Sequence, residues 1–123
     1  MAGAAMSEES RAAIGEARRL GVPIHVSPIT AWEIGTLVRK AKIRLSVTPD
    51  VWFETLLAKP GIVLASMPPK ILLASSFLPG NPPKDPADRI VAATARELGL
   101  RVVTRDGELI PYGEAGHIAV LRC

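Results

Sequence analysis

The stretch Lys84–Thr104, KDPADRIVAATARELGLRVVT, predicts a helix that leads straight into a strand. Asp85 suits the N-cap and Pro86 the first helical position, because the first N–H groups of a helix lack partners within it. Gly99 predicts the end of the helix, since glycine readily adopts the left-handed conformation of a C-terminal stop. The apolar run Leu100–Thr104 then predicts a buried strand. A capped helix followed at once by such a strand is typical of an α/β unit.

Asp88 stands out in this helix because it lies within the apolar stripe. At 100° per residue, Ala92 falls about 40° from Asp88 and Ala95 about 20° from it on the other side. Two readings stay open. An acid three residues after Asp85 can complete a capping arrangement and complement the helix dipole, or it can serve chemistry. Asp85 itself is read first as a cap and second as an accessory acid.

Predicted helices and strands also alternate along the rest of the chain. Strand runs are apolar without polar alternation, which is typical of a parallel sheet covered on both faces. The sequence therefore predicts an α/β fold with a mostly parallel sheet, where ligands bind beyond the carboxyl ends of the strands. Further helices are predicted for Ser7–Leu20, Pro28–Ala41, Pro49–Lys59 and Pro69–Ser76, and further strands for Val22–Ser27, Ile62–Ala65 and His117–Leu121.

Composition sets bounds on the class of protein. We expect 123 residues to form a single domain, 1–123, with a real core. No apolar run reaches the ~20 residues of a membrane span, and the start lacks the basic and apolar regions of a secretory signal. The single cysteine, Cys123, cannot form an internal disulfide, so we expect a reducing cytoplasm. A net charge of +3 permits a polyanionic partner without requiring one.

Two more acids join Asp88 as candidates. Glu33 lies between the apolar positions Ile29 and Leu37 on one predicted helix face, one turn after a strand ends. Its alternative reading is a partly exposed partner of nearby lysine or arginine. Asp106 follows a strand and precedes a glycine, so its alternative reading is a turn.

The three acids together are more informative than each one alone. All lie at the carboxyl end of a predicted strand or early in the next helix, so a parallel sheet brings them to one edge. Carboxylates in one cleft repel each other, and a divalent cation relieves that repulsion. Mg²⁺ prefers hard oxygen ligands and can activate water for attack on a phosphodiester. The sequence therefore predicts a metal site at Glu33, Asp88 and Asp106.

Other polar and aromatic residues give weaker signals. His25 and His117 share no metal-ligand spacing and are interpreted as packing residues. Trp32 and Trp52 are interpreted as core or interface residues, and Cys123 has no histidine nearby to activate it. The chain carries no glycine-rich phosphate loop of the nucleotide-binding kinds.

Three segments resemble the PIN-domain ribonucleases of the VapC toxin type: SPITAWEIGTLVRKAKIRL (Ser27–Leu45), LPGNPPKDPADRIVAATARELGLRVVTRDGEL (Leu78–Leu109) and IPYG (Ile110–Gly113). They occur in the expected order, and the likeness runs from about Val22 to the C-terminus. The resemblance implies a three-layer α/β/α sandwich that cuts RNA with Mg²⁺ or Mn²⁺. It also implies a small antitoxin partner of the VapB type and a homodimer.

The resemblance assigns roles to individual positions. By motif, Glu33, Asp88 and Asp106 are the metal-holding and catalytic acids. Thr104 matches a threonine that supports the cluster, and Asp85 is accessory. The chain departs from the family at its start, because nothing resembles the opening strand of the form LLDTHVLLW, whose aspartate is a further metal ligand. We therefore expect a domain that is N-terminally truncated and lacks its central first strand.

These expectations combine into one predicted function and one alternative. The chain is predicted to be a VapC-like, metal-dependent endoribonuclease, impaired because the first catalytic aspartate is absent. The alternative is a catalytically dead PIN fragment that only binds an antitoxin or a sister subunit.

The missing first strand would also affect stability. Losing its about five buried apolar residues, at roughly 1.5–3 kcal/mol each, would remove about 8–15 kcal/mol, which is comparable to the stability of a whole domain.

Overall fold

The computed structural model describes residues 8–104 and 108–122. Within them, helices and strands alternate as the sequence predicts, with one added helix near the end. The helices are α1 (Glu8–Arg19), α2 (Ile29–Arg39), α3 (Pro49–Leu57), α4 (Pro69–Ser75), α5 (Pro86–Leu98) and α6 (Leu109–Glu114), and the strands are β1 (Ile24–Val26), β2 (Ile62–Leu64), β3 (Arg101–Thr104) and β4 (Ala119–Arg122). No helix in this part of the chain is both long and apolar enough to cross a membrane.

The four strands form two parallel pairs. β1 pairs with β2, with Ile24 opposite Ile62, and β3 pairs with β4, with Arg101 opposite Ala119. The prediction of parallel pairing is therefore confirmed. The expected single sheet is seen as two separate pairs, since no strand of the described residues lies between β1 and β3.

Helix α5 forms as its sequence predicts. The Asp85 carboxylate accepts a hydrogen bond from the Asp88 N–H at 3.0 Å, which is the N-cap bond that an aspartate supplies. The helix ends at Gly99, whose φ of +66° is the left-handed conformation that favours glycine. Helix α5 packs against α2, α4 and β3, so it lies between two other helices and the second strand pair.

The core lies around the second strand pair. Ala92 of α5 is completely buried, and it packs with Leu109, Tyr112 and Ile118. Gly113 is required at its position in α6, because a Cβ there would collide with the side chain of Val120. Helix α6 therefore packs closely against β4.

Two details differ from the sequence expectations. The strand Ile62–Ala65 was expected to be buried, but Val63 is 38% and Leu64 50% exposed, because β2 pairs with β1 on one side only within the described residues. Helix α6 was not predicted at all. Pro111 and Gly113 both disfavour a helix interior, yet Pro111 lies in the first turn, where a missing N–H costs nothing.

Candidate active site at the carboxyl ends of the strands

Asp88 lies in the first turn of α5, half-buried, at the lining of a cavity of about 640 Å³. Its backbone N–H makes the cap bond to Asp85, so the confirmed capping role belongs to the Asp85 carboxylate. The predicted stripe is also observed, since Val91 and Ala95 of α5 line the same cavity. Asp88 therefore contributes to the lining of a cavity to which both strand pairs add residues.

Glu33 lies in the middle of α2, and its side chain is half-buried. Its position follows from how α2 begins: the Ile29 N–H donates to the Ser27 hydroxyl oxygen at 3.2 Å, which turns the chain sharply after β1. The next residue, Ile34, is only 2% exposed. Because α2 packs directly against α5, the structure places Glu33 and Asp88 on two helices that contact each other.

The third predicted acid cannot be placed in the same way. Asp106 lies outside the described residues. Thr104 ends β3, opposite Arg122 in the parallel register, and only its backbone is described. Among residues 8–104 and 108–122, no three acids, histidines or cysteines are close enough to hold a metal ion. Since one of the three predicted ligands is outside that range, the complete acidic set stays a prediction.

Arg89 binds backbone carbonyl groups beside the candidate site, a role that the sequence interpretation missed. Its guanidinium donates to the carbonyl oxygens of Ser75 at 2.9 Å, Pro83 at 3.1 Å and Ser76 at 3.3 Å. A cation at a helix C-terminus stabilises the negative end of the dipole, here that of α4. Arg89 thus fixes the loop before Asp85 and the first turn of α5. In the sequence, the one sign of this role is that Arg89 directly follows Asp88.

Tyr112 was also missed as a positioning residue. Its side chain is 2% exposed, and its hydroxyl donates to the Pro79 carbonyl oxygen at 2.6 Å. Its ring stacks on His117, with ring centres 4.8 Å apart. Burial raises the pKa of Tyr112, and the positive charges of Arg96 and Arg89 oppose this rise. The residue ties α6 to the loop that precedes α5.

The weaker candidates lie in varied surroundings. His117 packs on Tyr112, which agrees with a packing role, whereas His25 is exposed and lines the cavity. Trp52 is half-buried at the cavity, whereas Trp32 is 60% exposed and so does not belong to the core. Cys123 lies outside the described residues.

Comparisons to known proteins identify the family of the chain. The PIN-domain family model matches residues 2–114, so the chain belongs to the PIN-domain family. Over 84 residues, the chain is 33% identical to Ribonuclease VapC22 of Mycobacterium tuberculosis (strain ATCC 25618 / H37Rv). That match covers 68% of this chain and 63% of the relative, so the chain spans less than two thirds of that protein's length. No solved structure gave a significant match.

Family membership confirms two expectations drawn from the sequence. The resemblance to VapC-type PIN domains is confirmed by both matches. The three-layer α/β/α architecture is likewise confirmed, and the parallel strand pairs flanked by helices agree with it. The truncation and the lost first strand stay predictions.

Proposed function

We propose that this chain is a VapC-like endoribonuclease that depends on a divalent metal ion. The observation that carries the proposal is the packing of α2 on α5, which brings two helices with half-buried acids, Glu33 and Asp88, into contact. The relative named as a ribonuclease supports the same reaction class.

The proposed roles follow from the chemistry of the side chains. Glu33, Asp88 and Asp106 would hold Mg²⁺ or Mn²⁺, because hard cations prefer carboxylate oxygens. When bound, the ion would supply charge stabilisation to the phosphodiester and a water of lowered pKa. Glu33 and Asp88 orient the site from two helices that pack on one another. Asp85 and Thr104 are proposed as supporting residues, with Asp85 acting through its cap on α5.

The proposed partners are RNA, an antitoxin of the VapB type and a second copy of the chain, in the cytoplasm. Apolar side chains on and beside α4 support a protein-binding surface, since Leu73 is 66% and Phe77 83% exposed. Adjacent exposed apolar residues are typical of interaction sites. The same surface favours the second candidate function, a PIN domain that binds partners without cutting RNA.

RNA cleavage in the presence of Mn²⁺ tests the proposal. The chain is expected to cut single-stranded RNA with Mn²⁺ and not with EDTA. Asp88→Asn should lower the rate by more than about 100-fold, beyond the 10–100-fold that loss of a group supporting a metal ligand costs. Glu54→Gln, an exposed acid on α3, is the matched control and should retain activity.

Two outcomes separate the candidates. Cleavage that survives EDTA or Asp88→Asn would contradict the metal-dependent mechanism. No cleavage under any metal, together with antitoxin binding that is lost in Leu73→Asp, would favour the binding-only function.

A further inference from the structure

Four basic residues lie close together where helix α2 ends. Of the 15 lysines and arginines in the chain, four fall within six positions: Arg39, Lys40, Lys42 and Arg44. All four side chains are exposed. Within residues 8–104 and 108–122, the ion pairs lie inside α1 and between α4 and α5, so no acid pairs with these four cations. We call residues 39–44 the basic segment.

The chain leaves α2 through a left-handed turn at Ala41. The Lys42 N–H donates to the Leu37 carbonyl at 2.9 Å, and the Ala41 N–H donates to the Val38 carbonyl at 3.0 Å. These two bonds are those of a Schellman motif, in which glycine is the usual left-handed residue. Ala41 has a φ of +57°, which is strained for alanine. Because alanine has fewer alternative conformations than glycine, the turn gives the basic segment a fixed direction.

Apolar side chains hold the far end of the basic segment against the molecule. Ile43 and Leu45 are half-buried, whereas Lys42 and Arg44, which alternate with them, are exposed. Burial of the apolar pair stabilises this path of the chain. The two cations are therefore presented to solvent from a backbone that is anchored on both sides of each basic residue.

The dipole of α2 explains only part of this arrangement. Cations in the last turn stabilise the negative end of a helix, which accounts for Arg39 and Lys40. The effect falls off within that turn, so it does not account for Lys42 and Arg44, which lie beyond the helix end. A row of exposed cations without acidic partners attracts a polyanion.

The position of the basic segment favours RNA as this polyanion. Arg39 follows Glu33 by six residues on the same helix, about 9 Å along its axis. An RNA strand held at the candidate site therefore lies close to the basic segment. We propose that residues 39–44 bind the phosphate backbone of single-stranded RNA beside the candidate active site. Phosphate contacts position a nucleic acid without reading its sequence. The choice of RNA rests on the proposed function.

RNA binding in the presence of EDTA tests the basic segment without cleavage. The probe is fluorescein-labelled poly(U), and fluorescence anisotropy measures its affinity for the full chain over a series of NaCl concentrations. For single strands, each phosphate contact contributes about −0.7 to the slope of log affinity against log salt concentration. The double variant Lys42→Gln/Arg44→Gln should therefore bind poly(U) more weakly, with a slope that is shallower by about 1.4.

The matched control is the double variant Arg18→Gln/Lys59→Gln. It also removes one arginine and one lysine from exposed positions, but outside the basic segment, and it should keep the slope of the unmodified chain. Equal changes in both double variants would show that net charge alone determines binding. That result would overturn the proposal, as would an unchanged slope in Lys42→Gln/Arg44→Gln or no binding of poly(U) at all.

An acidic protein is the other partner that the same charges could bind. Oligoglutamate is the probe for it. If oligoglutamate binds more tightly than poly(U), and loses that affinity in Lys42→Gln/Arg44→Gln but not in the control, the basic segment serves an acidic protein and the proposal is overturned. Weaker binding of oligoglutamate than of poly(U) supports RNA.

Cleavage assays with Mn²⁺ separate this inference from the proposed function. Lys42→Gln/Arg44→Gln should raise KM and keep kcat, because the phosphate contacts are made equally in the ground state and the transition state. If the chain does not cut RNA but shows the difference in slope, only the proposed cleavage fails. If the chain cuts RNA and this double variant changes neither KM nor the slope, only the present inference fails.

Discussion

Asp85 and Asp88 are three residues apart, yet the structure separates their roles. The Asp85 carboxylate caps α5, while only the backbone N–H of Asp88 takes part in that bond. The two aspartates should therefore differ sharply when each is replaced. This division leaves the Asp88 carboxylate outside the cap bond, which is compatible with the role proposed for it.

The first prediction compares these two residues in thermal or urea unfolding. Asp85→Ala should lower the free energy of unfolding by about 0.5–2 kcal/mol through loss of the cap. Asp88→Asn keeps the N–H and removes a favourable charge near the helix N-terminus, which is worth about 0.3–1 kcal/mol. If Asp88→Asn costs more than Asp85→Ala, the Asp88 side chain has a structural role that this account does not include.

Tyr112 gives a prediction about pH. Burial raises its pKa, so the unfolded chain loses this proton first as pH increases. Stability linked to Tyr112 is therefore fully present below about pH 10, the ordinary tyrosine value, and is lost as pH rises from there through the higher folded pKa. Since the chain has one tyrosine, its ultraviolet titration reports this group alone.

The corresponding variant is Tyr112→Phe. It should remove the alkaline loss above about pH 10 and cost about 0.5–1.5 kcal/mol at pH 7, because the bond to the Pro79 carbonyl is gone. Urea unfolding across that pH range measures both effects. An unchanged alkaline profile in the variant would contradict a buried, protonated Tyr112.

At the scale of elements, glycine positions distinguish a helix end from a helix interior. Gly99 ends α5 with φ +66°, whereas Gly35 lies inside α2 and a Cβ there meets nothing within 4 Å. Gly99→Ala should destabilise by about 1 kcal/mol, because alanine is strained at positive φ. Gly35→Ala should stabilise by up to about 1 kcal/mol. Melting temperatures of the two variants should move in opposite directions, and a shift in the same direction would contradict the described backbone.

Elements also show what the sequence could and could not predict. Local signals were sufficient for α5, because Asp85, Pro86 and Gly99 each act within a turn of their own position. They failed for α6, where packing of Leu109 and Tyr112 into the core outweighs the unfavourable Pro111 and Gly113. Local propensity cannot include such long-range packing.

At the scale of the whole molecule, strand pairing was only partly predictable. Apolar runs indicated the strands and their parallel direction, but periodicity does not reveal which strand lies at an edge. The exposure of β2 and the division into two strand pairs are therefore properties of the assembled fold. The candidate site was predicted from the rule that a parallel sheet brings the residues after its strands to one edge, and with Asp106 outside the described residues the full acidic set stays a prediction.

The net charge of the whole chain is small and positive. The chain has 15 lysines and arginines against 12 acidic residues, so association with a nucleic acid should rest on a few contacts and weaken with added salt. The acids proposed for metal binding are therefore local exceptions on a slightly basic molecule. A cation held among them would also reduce repulsion of the RNA backbone.

Mn²⁺ binding measured by calorimetry on the full chain tests most directly whether Glu33 and Asp88 share one ion. The account predicts one site, weakened more than about 100-fold by either Glu33→Gln or Asp88→Asn. The double variant should be little worse than each single variant, because residues of one site are not additive. Glu54→Gln should bind as the unmodified chain does. Equal Mn²⁺ affinity in all four variants would contradict a shared metal site.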